Sequence, residues 1–183
     1  PPPYSLIPSP KSTFLFISAI LLALFGQAQT EPESKPFITT WQTTADNKSI
    51  TIPTTGSGYS YNVDWGEDEP ADNNTYTGDA SHSYTTPGTH TVTISGTFPR
   101  IFFFGNSTSA GQIRSVQKWG DNQWTSMREA FRSCKNLTIA DDAGVPDLSN
   151  VTDMFGMFAL SNFNGDLSEW DVGKVTNMEG TFA

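Results

Sequence analysis

The sequence predicts a mixed, two-part fold: an all-β sandwich near the N-terminus, followed by an α/β solenoid of short repeats that is truncated. Three observations carry that expectation. Tyr59, Tyr61, Val63 and Trp65 alternate with polar Ser60, Asn62 and Asp64, the period of a half-buried strand. Val151-Thr152-Asp153-Met154-Phe155-Gly156-Met157-Phe158-Ala159 returns twenty-four residues later as Val175-Thr176-Asn177-Met178-Glu179-Gly180-Thr181-Phe182-Ala183. A fixed period of this size belongs to stacked architectures, in which each unit lacks a full core of its own. Turn residues (Pro53, Gly56-Ser57-Gly58, Pro87-Gly88, Pro99) break the first region into short pieces. Stacked repeats need about three or more copies for stability, so the chain reads as the front of a longer protein. The absence of Met at Pro1 points the same way for the other end.

Residues 1–29 read as a secretory signal peptide. Lys11 precedes the apolar-dominated run 14–25, and small residues follow at Gly26 and Ala28. Twelve residues fall short of the about 20 that a spanning helix needs; the competing reading is a buried N-terminal helix. All nineteen acidic residues and nine of the ten basic ones lie after Thr30, leaving that portion at −10. Such a surface repels phosphate, so a nucleic-acid partner is not expected. Cys134 is the single cysteine; with no second thiol it forms no internal disulfide, and it reads as a small buried apolar residue rather than a nucleophile.

Residues 30–105 read as the β-sandwich, with strands at Phe37–Trp41, Ser49–Ile52, Tyr59–Trp65, His90–Ser95 and Arg100–Phe104. Trp65 ends a strand and fills the core, and Gly66 permits the following turn. The acidic run Asp64, Glu67, Asp68, Glu69, Asp72 and Asp79 lacks the fixed spacing of a calcium loop, so it reads as a solvated turn. His82 and His90 have no third nitrogen or thiolate beside them in sequence, and no zinc site is expected. The motif Trp65-Gly66, His82-Ser83-Tyr84 and Pro87-Gly88 through Val92 resembles the PKD (polycystic kidney disease) domain, an immunoglobulin-like module. Glu67 and Asp68 depart from that family's W-G-D-G, and His90 stands where an aromatic residue is usual. The resemblance implies a spacer or a protein or carbohydrate contact surface.

Residues 106–183 read as incomplete repeats. Ser126-Met127-Arg128-Glu129-Ala130-Phe131, Asp153 to Phe158 and Asn177 to Phe182 align, each opening on a residue that caps helix N-termini. Glu129 completes a capping box with Ser126. Met127 and Phe131, Met154 and Phe158, Met178 and Phe182 stand four apart, so each copy reads as a short capped helix with one buried stripe. The apolar pairs Ile113 and Val116, Leu148 and Val151, Val172 and Val175 read as the extended segment of each repeat. Trp119, Trp124, Trp170, Phe163 and Leu167 fill the layers between. Asn162 to Met178, with Asp166-Leu167-Ser168-Glu169-Trp170-Asp171-Val172 at its centre, resembles BspA-like leucine-rich-repeat surface proteins, and Val116 to Leu137 resembles a divergent first repeat of that family. Gly173 and Thr181 replace its usual Ser and Met.

These resemblances imply an exported, non-catalytic cell-surface adhesion protein with no cofactor, contacting a host or neighbouring-cell protein or glycan. No membrane span is expected in this stretch. An enzyme would need a convergent constellation, and the two histidines sit in a structural motif away from Cys134. The alternative reading is the accessory N-terminal part of a secreted carbohydrate-active enzyme whose catalytic domain lies elsewhere.

Overall fold

A computed structural model of the chain describes residues 34–66 and 73–183. The signal-peptide reading of 1–29 and the acidic residues Glu67, Asp68, Glu69 and Asp72 lie outside the described residues. Eight elements follow in order: β1 (Phe37–Gln42), β2 (Ser49–Ile52), β3 (Ser60–Asp64), β4 (Ala80–Ser83), β5 (Thr89–Thr97), α1 (Ser107–Gln112), β6 (Ile113–Lys118) and β7 (Thr138–Ile139). Five strands form one sheet in the order β3-β5-β1-β6-β7, and β2 pairs with β4 in a second, two-stranded sheet. All pairings are antiparallel except β6 with β7.

β1 sits at the centre of the large sheet because both its edges are used, by β5 and by β6. Phe37, Thr39 and Trp41 point to its buried face. Thr39 is tolerated there because its hydroxyl accepts from Trp41 Nε1 at 2.8 Å and lies 3.4 Å from the Val92 carbonyl, leaving no orphaned polar group. In β3 the alternation is strict: Tyr61 and Val63 are buried, and Ser60, Asn62 and Asp64 are exposed. The segment 100–104, read from sequence as a strand, is not one. β4 carries no apolar alternation, and β2 supplies its pairing edge.

The expected α/β leucine-rich-repeat solenoid is overturned. The described residues are nearly all β and turn, and their one helix, α1, has six residues and precedes the repeats. The repeat units form turns rather than capped helices. Each opening side chain does cap, taking the N–H two residues on: Ser126 from Arg128 at 3.1 Å, Asp153 from Phe155 at 2.9 Å, Asn177 from Glu179 at 3.1 Å. The fourth residue then turns left-handed in every copy, with φ of 54° at Glu129, 59° at Gly156 and 61° at Gly180. A left-handed residue ends a helix, and the bond from Met157 N–H to Met154 C=O (3.1 Å) closes a turn around it instead. The apolar pairs are corrected likewise: Val151 N–H bonds Leu148 C=O and Val175 N–H bonds Val172 C=O, both at 2.9 Å, so two of the three are turn ends and only Ile113 and Val116 lie in a strand.

The N–H groups that a helix would use internally bond the next copy. Met127, Glu129, Phe131 and Ser133 donate to the carbonyls of Asp153, Phe155, Met157 and Ala159 at 2.8–3.0 Å. Met154, Gly156, Phe158 and Leu160 donate in turn to Asn177, Glu179, Thr181 and Ala183 at 2.6–3.0 Å. The rings follow the same rows. Phe103, Phe131, Phe158 and Phe182 stack in succession with centroids 5.7–6.1 Å apart, and Trp41 stacks on Phe103 at 5.9 Å. Sheet and repeats thus share one apolar cluster.

Two glycines fix close approaches. At Gly120 (φ +67°) a Cβ would strike the Lys35 and Pro36 carbonyls, where the chain entering β1 crosses the turn after β6. We predict that Gly120→Ala destabilises the fold by at least about 2 kcal/mol. Gly111→Ala, whose Cβ meets open space in α1, should be neutral or stabilising by up to about 1 kcal/mol. Urea denaturation of the two variants checks both. Gly156→Ala should cost about 1 kcal/mol from its left-handed φ, and Gly156→Asn less, measured in the same way.

Candidate functional site

The PKD-like motif residues are consumed by packing. Trp65 and Tyr84 are buried, and the Tyr84 hydroxyl donates to the Trp65 carbonyl at 2.9 Å. His82 stacks on Trp65 at 5.2 Å and meets Tyr84 edge-on at 4.7 Å. His90 lies flat on Tyr84 at 3.4 Å, with Nε2 at 2.8 Å from the Thr43 hydroxyl. Gly66 receives no side chain because a Cβ would strike the Thr91 carbonyl, and its N–H is held by Asp64 at 2.9 Å. Pro87 is exposed, while Gly88 exchanges bonds with Thr43 at 2.8 and 3.0 Å. Both histidines therefore hold β5 and the strand ends together rather than converge on a reacting centre.

Among the repeat residues, Met127, Phe131, Met154, Phe158 and Trp170 are buried, and Val175 packs against the core from a half-buried position. Val172, Met178 and Phe182 are exposed, Phe182 at 63%. Cys134 is fully buried, and burial pushes its thiol well above the ordinary range. A thiol held protonated is a poor nucleophile. No group of three or more His, Cys, Asp or Glu among the described residues is placed to hold a metal.

Among the described residues, two clefts lie on either side of Gly105 and Ser107. One, of about 360 Å³, is lined by Phe103, Phe104, Arg132, Ser133 and Leu160. Phe104 and Leu160 are 52% and 56% exposed, and the Arg132 guanidinium stands 5.4 Å from the Phe104 ring centre. Leu160 adopts φ +58°, a region where a bulky residue is strained, and its N–H is tied to Ala183 C=O at 2.6 Å. The other cleft, of about 300 Å³, lies between β2 and α1 and is polar throughout. Sequence reasoning singled out neither. Phe104 was placed in a strand that does not form, and the cleft residues are scattered Ser, Thr, Asn and Gln that carry no pattern.

Carboxylates on the repeat surface are held below their ordinary range. Asp142 bonds and pairs with Lys118 (2.7 Å), Asp147 accepts from Ser149, and Asp166 accepts from Ser168. Depressed carboxylates lend stability above their unfolded pKa and lose it as pH falls through the folded one, below about pH 4.

Residues 101–183 match a protein family described as Mycoplasma protein of unknown function, DUF285. This overturns the expected membership among BspA-like leucine-rich-repeat surface proteins with a PKD-like domain: neither family matches, and the match that is found carries no assigned function. No curated protein and no solved structure matches the chain. No helix among the described residues is long and apolar enough to cross a membrane.

The thiol predicts a clean outcome. Cys134 should resist iodoacetamide at pH 8 in the native protein and react fully in denaturant, as read by mass spectrometry. Rapid labelling of the folded protein would contradict its buried, protonated state.

Proposed function

We propose that the chain is an exported cell-surface binding protein that contacts a protein or glycan of a host or neighbouring cell and carries out no catalysis. The supporting observation is the cleft formed by Phe104, Leu160 and Arg132. Arginine is among the residues enriched in protein–protein hot spots, and here its guanidinium stands beside an exposed ring and an exposed aliphatic side chain. Monomeric surfaces hold few such clusters without use. Strain of the Leu160 kind persists where the surroundings over-determine it, and such sites cluster at ligand contacts. The side chains that ordinarily supply nucleophiles and bases, Cys134, His82 and His90, are spent on packing. The apolar run 14–25 supports export.

Surface immobilisation against a panel of matrix proteins and a glycan array tests the reading. A ligand should be captured, and the double variant Phe104→Ala, Leu160→Asn should weaken it at least about tenfold while the melting temperature holds. Asn suits the left-handed backbone at 160. Silence across both panels, or binding indifferent to the double variant, would contradict the proposal.

A further inference from the structure

The cleft between β2 and α1 is walled by neutral polar side chains. Asn47, Ser49, Thr51, Asn106, Thr108 and Gln112 line it, with no charged or aromatic side chain in its wall. Beside it the outer face of the small sheet is a plot of hydroxyls. Ser49 pairs with Ser83 at 2.6 Å and Thr51 with Ser81 at 2.8 Å across the two strands, all through side-chain oxygens. The inward face of the same strands is apolar, with Ile50, Ile52 and Ala80 fully buried. The hydroxyls are thus held in fixed positions by a rigid, well-packed backing.

Gln112 supplies an independent observation. It is only 8% exposed. Its Nε2 donates to the Ser49 carbonyl at 2.8 Å, which fixes the side chain against β2. Its Oε1 is buried and has no donor among the described residues. The bond to β2 therefore makes Gln112 a fixed part of the cleft wall rather than a group that turns out to solvent.

Two cations on the adjoining segments are engaged: Lys48 Nζ donates to Thr85 C=O at 2.7 Å and Arg114 to Gly111 C=O at 2.7 Å. An anionic ligand therefore finds no unspent positive charge in the wall. A hydroxyl both donates and accepts, as do the Ser, Thr, Asn and Gln groups facing it. A volume of about 300 Å³ stands at the small end of ligand clefts, suited to a single ring. We propose that the β2–α1 cleft is a binding site for a neutral sugar ring, with the Ser49, Thr51 and Thr108 hydroxyls around the ring and Gln112 fixed in the wall against β2.

This rests on the reading of the chain as a binding protein, but it uses a cleft separate from Phe104 and Leu160, so the two fail separately. The test is a ¹⁵N NMR titration of the protein with glucose, galactose, mannose and N-acetylglucosamine, with glycerol and N-methylacetamide as controls. At least one sugar should give saturable shifts confined to 47–51, 81–83 and 105–112, with millimolar affinity. Thr108→Trp, an exposed position, should weaken that binding at least about tenfold, a change of 1.4 kcal/mol, and Thr51→Val should weaken it without altering the fold. Phe104→Ala should leave it unchanged. No saturable shift by any sugar up to about 100 mM overturns the proposal. So do equal shifts from glycerol, preference for N-methylacetamide as a peptide mimic, or binding unaffected by both cleft variants. Loss of sugar binding alongside retained Phe104-dependent capture sinks this inference and spares the broader one.

Discussion

The structure depends on one arrangement: backbone N–H groups that leave their own turn and bond the carbonyls of the next sequence copy. In each copy the donors alternate, 127, 129, 131 and 133, then 154, 156, 158 and 160. Alternate donation is the habit of an extended chain in a ladder, here sustained through a string of turns. It is possible only because the fourth residue of each unit is left-handed. A right-handed residue there would have returned those donors to the helix and left the copies to meet by side chains alone. Buried backbone groups must be paired somewhere, so the ladder and the left-handed residue are two views of one constraint.

The side chains follow from the ladder. Once the backbones are in register, Met127 and Met154 are buried, and the phenylalanines fall ring on ring. The row does not stop at the repeats. Phe103 stacks on Phe131 and Trp41 on Phe103, while Phe103 N–H bonds the Glu129 carbonyl at 3.1 Å. The segment 100–105 therefore does for the first copy what each copy does for the one after it, donating an N–H and stacking a ring, and it joins the repeats to the central strand β1. Holding that segment in place is also what sets Phe104 in the wall of one cleft and Gly105 between the two. The candidate binding surfaces are consequences of how the first copy is covered.

Much of the β region was legible because alternation survives in it. Tyr61 and Val63, or Val92 and Ile94, face one side of a pleat, and burial demands that they be apolar. β4 was illegible because its pairing is set by β2 and its outer face is hydroxylic. The repeats misled for a physical reason. A capping side chain followed by apolar residues four apart is compatible with a helix and with this turn, since the two part only where the backbone turns left-handed, at the fourth residue of each copy and again at Ser133 and Leu160. Gly156 and Gly180 carried the distinguishing signal, and Glu129, left-handed without being glycine, masked it in the first copy. Of the Met and Phe positions expected to form a recurring buried stripe, Met127, Phe131, Met154 and Phe158 are buried, and Met178 and Phe182 are exposed. Neither cleft was visible in sequence, since polar residues from β2, the loop before it and α1 meet only after folding.

Hydrogen exchange read amide by amide tests the ladder most directly. The account predicts strong protection at Met127, Glu129, Phe131, Met154, Gly156 and Phe158, whose N–H groups are bonded to the following copy. Fast exchange at these six amides would show that the copies are not held together in this way.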